Sequence, residues 1–191
     1  AGLIKRFNWQ DGQNPKAALT SSQFQSLTSS TRTFDPGILR YNDAFDILAF
    51  SDRGGDSRGD EKLYLWSFTP NSAHMILDLE STCTIIDVTM ETKGADKLEI
   101  LVLTKCSTGF GVKRLVTVVN KSSETITFST PSESDFALSS SDGEARSIEW
   151  VADYDPVTLT ASPDVFTNRF FVAFEPTSDA TDPHIKEFNP N

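Results

Sequence analysis

Two histidines and two cysteines in 191 residues leave this chain short of the side chains that most often carry chemistry or bind metal. Only His74 and His184 could serve as bases with a pKa naturally near neutrality. Neither lies in a catalytic motif, and HExxH, GxSxG, the P-loop and the dinucleotide fingerprint are all missing. The chain is therefore expected not to be an enzyme, the standing alternative being a hydrolase whose Ser, His and Asp converge from distant loops. Cys83 and Cys106 are too few for a Cys-rich zinc cage and allow one disulfide at most. Each falls on or beside a predicted strand. Two buried free thiols acting as small apolar residues is the favoured reading, and a bridge between adjacent strands is the other. No metal and no cofactor is expected.

Long apolar runs are missing too. No stretch of 18 residues is apolar, so no membrane insertion is expected, and Ala1 to Gln10 has neither the apolar region nor the cleavage pattern of a leader. The expectation is a soluble piece, compatible with excision from a longer chain. Positive charge is in deficit: 17 Lys and Arg face 27 Asp and Glu, and the net charge of −10 repels phosphate backbones. Nucleic acid is not an expected partner. Asn120, Lys121 and Ser122 form a glycosylation sequon, which bears on the protein only if it enters a secretory pathway.

What the chain does have is β-forming sequence and bulky rings. The hydrophobic fraction is 38%, but 14 Phe, 3 Trp and 3 Tyr can fill a β core. Short apolar runs separated by Gly, Pro, Asn, Asp and Ser clusters predict strands over 45–50, 62–68, 74–79, 83–90, 98–104, 112–119, 125–128, 147–151, 157–160 and 165–174. The predicted fold is all-β, an antiparallel barrel or sandwich with long loops and at most one or two short helices. One domain spanning 1–191 is expected, with an N-terminal arm over 1–33 and a C-terminal tail over 177–191, pinned by Ile185 and Phe188. Asn14 and Pro15 predict a short helix start before Ala17, Ala18 and Leu19. Ser21 to Thr33 reads as a draped loop, Phe34 to Gly37 as a turn and Ser129 to Glu144 as a long exposed loop. Tyr64, Trp66 and Phe68 share one side of a strand, a face for the core or, less favoured, for a dimer interface. Phe170, Val172 and Phe174 against Phe171 and Ala173 predict a strand buried on both faces.

Candidate binding residues are few. Asp52 to Glu61 reads as a Gly-rich hairpin tip whose carboxylates resemble calcium ligands, although Arg53 and Arg58 would compete with a cation. Within it Arg58, Gly59 and Asp60 match the integrin-binding tripeptide, in which the Arg fork seeks an acidic partner and the Asp completes a metal site on the receptor. Such a match arises by chance in about a few per cent of chains this long. Trp9 and Tyr154 are the rings placed to stack on a sugar, which gives a secreted carbohydrate-binding or adhesion module as a competing function.

The densest β signal runs from Leu98 to Val119. Its first strand is apolar on both alternation phases, its second begins at Val112, and Gly109 and Gly111 supply freedom for a turn or bulge between them. The 25 residues from Glu99 to Ser123, through Leu101, Leu103, Lys105, Ser107, Thr108, Gly109, Phe110 and Val112, resemble a stretch of the capsid spike (projection) domain of astroviruses, of an avian-type or divergent kind. The resemblance implies a homodimeric β spike on the surface of a non-enveloped virion assembled in the host cytoplasm and matured by proteolysis. It also implies attachment to a host-cell receptor, glycan or protein, and recognition by antibodies. Loops such as Asp52 to Glu61 and Ser129 to Glu144 are then the segments expected to touch the host.

Overall fold

Alternation at every second residue becomes antiparallel sheet over most of the described chain, which in the computed structural model is residues 3–6, 16–29, 31, 34–53, 61–79, 82–150, 169–176 and 182–188. Two compact units result, residues 1–84 with 121–126 and residues 85–120 with 127–191.

In the first, β1 (Leu3–Arg6) pairs with β2 (Lys16–Thr20), and β3 (Pro36–Asn42), β4 (Ile47–Asp52), β5 (Lys62–Phe68) and β6 (Asn71–Asp78) form a sheet in sequence order. Leu48, Phe50, Tyr64 and Trp66 share one face of that sheet and pack with Ile4, Leu19, Phe24 and Phe34. Phe24 stacks on Phe34 at 4.5 Å and meets Tyr64 edge-on at 5.0 Å, the two arrangements that ring quadrupoles favour. Trp66 is 2% exposed, and its indole N–H donates to Asn71 Oδ1 at 2.7 Å. Tyr64 and Trp66 thus serve the core, and only Phe68 of the predicted face stays half-buried.

Phe24 sits on α1 (Ser21–Thr28), in a stretch expected to be loop. The helix forms because Thr20 and Gln23 make a reciprocal capping box, which offsets the poor propensity of the Ser and Thr that follow, and Phe24 anchors its one buried face. The helix expected from Asn14 and Pro15 is not found; Ala17, Ala18 and Leu19 lie in β2, where Leu19 is fully buried. The predicted turn at Phe34 to Gly37 instead leads into β3. A register irregularity between Pro36 and Leu39 accommodates the proline at that sheet edge.

In the second unit, but for Cys83, Thr84, Lys121 and Ile126 at their ends, β7 (Cys83–Lys93), β8 (Lys97–Cys106), β9 (Gly109–Lys121) and β10 (Ile126–Phe128) run in the order β10-β9-β8-β7, with β11 (Ser132–Ala137) also on β9. A second sheet holds β12 (Glu144–Trp150), β13 (Phe170–Glu175) and β14 (His184–Phe188). Leu101, Leu103 and Val112 of the first meet Ile148, Trp150, Phe170, Val172 and Phe174 of the second in one core. This is a sandwich; neither sheet closes into a barrel among the described residues. Phe171 and Ala173 are half-buried, so β13 buries one face fully rather than two. The segment read as a long loop, Ser129 to Glu144, carries β11 and a 3₁₀ turn at Ser140–Asp142, and the expected tail carries β14. The predicted strand at 157–160 lies outside the described residues.

Glu99 is a polar residue inside an apolar run, 2% exposed, and its charge is met by Arg114 Nε on β9 and by Lys93 Nζ 4.0 Å away. The free-thiol reading of the cysteines is overturned. Cys83 opens β7, Cys106 closes β8, and both are disulfide-bonded. Antiparallel neighbours bring the two ends of a hairpin within the reach that a bridge demands.

Candidate functional site

The hairpin between β8 and β9 turns through Ser107 and Thr108, with Cys106 paired to Gly109. Gly109 takes φ +126°, which a side chain would resist, while Gly111 serves differently. A Cβ on Gly111 would come 3.3 Å from the Phe136 carbonyl oxygen, so its bareness lets β11 lie close against β9. The register sets Lys113 opposite Asp135, Phe136 opposite Val112 and Ala137 opposite Gly111, and the Leu138 N–H donates to the Phe110 carbonyl at 3.0 Å.

Between these pieces lies an open groove of about 310 Å³, near the lower end of the ~300–1,000 Å³ usual for ligand sites. Its walls carry Thr104, Thr108, Phe110, Lys113, Asp135 and Phe136. Lys113 Nζ donates to both Asp135 oxygens, at 2.9 and 3.0 Å. Lys105 Nζ lies 5.2 Å above the Phe110 ring and 3.5 Å from Glu144 Oε1. Phe110 and Phe136 are half-buried; they rest on the sandwich core and still line the groove. Strand alternation puts Phe110 and Phe136 on the face that packs on the core and the Lys113–Asp135 ion pair on the opposite face, so the groove wraps the exposed end of the hairpin rather than gathering these groups around one point.

The sequence-predicted candidates fare unequally. Arg58, Gly59 and Asp60 lie outside the described residues, as do Trp9 and Tyr154. Asp52 is register-paired with Lys62, so the segment between them links two adjacent antiparallel strands. Among the described residues no group of three or more His, Cys, Asp and Glu is placed to hold a metal ion, and no helix is long and apolar enough to cross a membrane. The sequon residues Asn120 and Ser122 are exposed where β9 runs into its turn.

His184 stacks on Phe174 at 5.4 Å, with Nδ1 3.0 Å from the Asp182 carbonyl oxygen. His74 lies on the same strand face as Ser72, whose Oγ is 2.8 Å from its Nε2. Acyl transfer would further need an acid orienting Nδ1 and donors for an oxyanion. Burial lowers the His74 pKa from its usual 6.5. Below about pH 6.5 the unfolded chain therefore binds more protons at this site than the folded one, so this share of stability is present above that pH and lost as pH falls through it. Urea midpoints at about pH 7.5 and about pH 5 should separate further for the wild type than for His74→Gln. Equal separation in the two proteins would show that His74 contributes nothing to the pH dependence.

Sequence reasoning read the Gly-Phe-Gly junction as a hairpin turn and expected host contact on Ser129 to Glu144, the segment that brings Asp135 and Phe136 to the groove. It missed that this segment is a strand paired with β9, because the SESDFA run has no apolar alternation to mark one. Compared with known proteins, the chain is matched by no family model, no curated sequence and no solved structure.

Proposed function

We propose that this chain is the receptor-attachment domain of a viral capsid, a homodimeric spike of the astrovirus kind on the virion surface, which binds a host-cell receptor and presents antibody epitopes. It acts by binding and not by catalysis, and it needs no cofactor. The observation that carries this reading is the groove, because it is built on the Lys105–Val112 hairpin, the same residues that carry the resemblance. Two further features support it. A disulfide between Cys83 and Cys106 suits a particle surface exposed to oxidising surroundings. The acidic balance of the chain suits a protein receptor or glycan better than a polyanion.

The test is attachment together with solution state. The isolated domain should bind cultured host cells saturably, compete with the particle for them, and scatter light as a dimer. A strictly monomeric protein that neither binds nor competes would defeat the proposal. A secreted carbohydrate-binding module could use the same groove, and finding the chain in purified particles separates the two.

A further inference from the structure

Resting on the attachment reading, we infer that the outer edge of β11 takes an extended, basic strand of a receptor protein, added to the sheet through main-chain hydrogen bonds. Among the described residues β11 pairs with β9 alone, and all its residues but the half-buried Phe136 are exposed. One hydrogen bond fixes which backbone groups face outward. The Leu138 N–H reaches the Phe110 carbonyl of β9, so Phe136 and Ser134, of the same parity, turn their N–H and C=O groups to β9. Glu133, Asp135 and Ala137 then turn theirs away from it. Exposed edges are ordinarily blunted by proline, lysine or a bulge; β11 runs Ser-Glu-Ser-Asp-Phe-Ala in unbroken register and has none of these.

Charge selects the partner. Glu133 and Asp135 project on one face, as alternation requires, and Asp135 shares its carboxylate with Lys113 while its side chain stays 67% exposed. A second copy of this strand is the wrong partner. Antiparallel pairing through the outward groups sets acid opposite acid, Glu133 against Asp135 in one register and Asp135 against its own copy in the next. A strand with Lys or Arg at every second residue meets the same two carboxylates favourably, and the net charge of −10 draws it in. The residues between those basic positions fall on the opposite face, beside Ser134 and Phe136, where an apolar side chain extends the buried surface.

The experiment is a titration of the intact chain with a short blocked peptide alternating Lys with Val, against one alternating Glu with Val. The Lys–Val peptide should bind and slow amide hydrogen exchange at Glu133 and Asp135 by about tenfold or more, while the Glu–Val peptide should do neither. Ala137→Pro deletes an outward donor and leaves the pairing with β9 intact, so it should weaken the affinity about tenfold, the worth of one hydrogen bond whose acceptor is stranded. Glu133→Lys should weaken it about fivefold by turning a cross-strand attraction into a repulsion. An unchanged thermal midpoint confirms that both variants stay folded. No binding of the Lys–Val peptide, equal binding of the Glu–Val peptide, protection that spares β11, or an affinity untouched by both substitutions overturns the inference.

A cell arm keeps the two proposals apart. Saturable binding that survives trypsin treatment of the cells, or that excess Lys–Val peptide does not reduce, overturns the assignment of β11 to a receptor strand and leaves the attachment reading standing. A protein that binds the peptide along β11 but no cell supports the basic-strand site and defeats attachment.

Discussion

Asp87→Ala is expected to destabilise the fold by about 3 kcal/mol, with the urea midpoint lowered and the m-value unchanged. Asp87 is 5% exposed on β7, and its oxygens are fully employed. Oδ1 accepts from the Val88 N–H at 2.9 Å, while Oδ2 accepts from Ser147 Oγ at 2.6 Å and from the Ile148 N–H at 3.1 Å. The last two sit on β12 where its register with β13 shifts between Ala145 and Ser147. The carboxylate thus serves two buried backbone N–H groups and the exposed Ser147 hydroxyl at a ladder irregularity and ties the two sheets of the sandwich together. Alanine leaves the Val88 and Ile148 N–H groups buried with no acceptor, at about 1–3 kcal/mol for each group stranded, and the penalties are not simply additive. Asp87→Asn keeps an acceptor oxygen and should cost less than half as much. An alanine variant within about 0.5 kcal/mol of wild type, the range of ordinary surface changes, would mean that the bridge contributes nothing.

Removing the disulfide should have an effect of similar size. Cys83 and Cys106 close a loop somewhat longer than the ~15-residue case, for which loop-closure entropy gives about 3 kcal/mol. For a chain of 191 residues that corresponds to a thermal midpoint lowered by about 6–12 °C in the double Cys83→Ala, Cys106→Ala variant. Reductant should move the wild type by a similar amount and leave the double variant where it was. Two titratable thiols in the native oxidised protein, or a midpoint indifferent to reductant, would contradict the bridge. Cys106 also lines the groove, so ligand affinity should fall with the bridge even at temperatures where the protein remains folded.

The fold was legible where burial imposes a period. Leu63, Leu65, Tyr64 and Trp66 fill both faces of β5, and the apolar run from Leu98 to Leu103 is buried at every position, as its lack of alternation implies. Where pairing partners supply the structure, composition misled. β11 is polar because most of its side chains face solvent on one edge of β9, and it exists through a ladder to residues some twenty positions earlier. β3 was hidden by Pro36 and Gly37, which are turn formers in isolation and tolerable at a sheet edge. For α1 the signal was present in Thr20 and Gln23, a capping box masked by the Ser- and Gln-rich composition around it.

The candidate site divides along the same line. Its hairpin turn could be read from Gly109, Phe110 and Gly111, since glycines between two strongly β-prone runs announce a tight turn. Its other wall could not. Asp135 and Phe136 become neighbours of Lys113 and Val112 only once the register is set, and no local pattern encodes that pairing. Cys106 illustrates the same limit. A cysteine at a strand end is compatible with burial as a thiol, and only the position of its partner beside it at the open end of the β7–β8 hairpin decides for a bridge.

The most direct test of attachment through this groove is saturable binding of the labelled domain to host cells, wild type against Thr108→Trp. Thr108 is exposed at the hairpin turn and lines the groove, so the larger ring should fill the groove without touching the sandwich core. The expected result is a folded variant with the wild-type thermal midpoint and no specific cell binding. A folded variant that binds cells as tightly as wild type would contradict the account and move the receptor contact elsewhere on the chain.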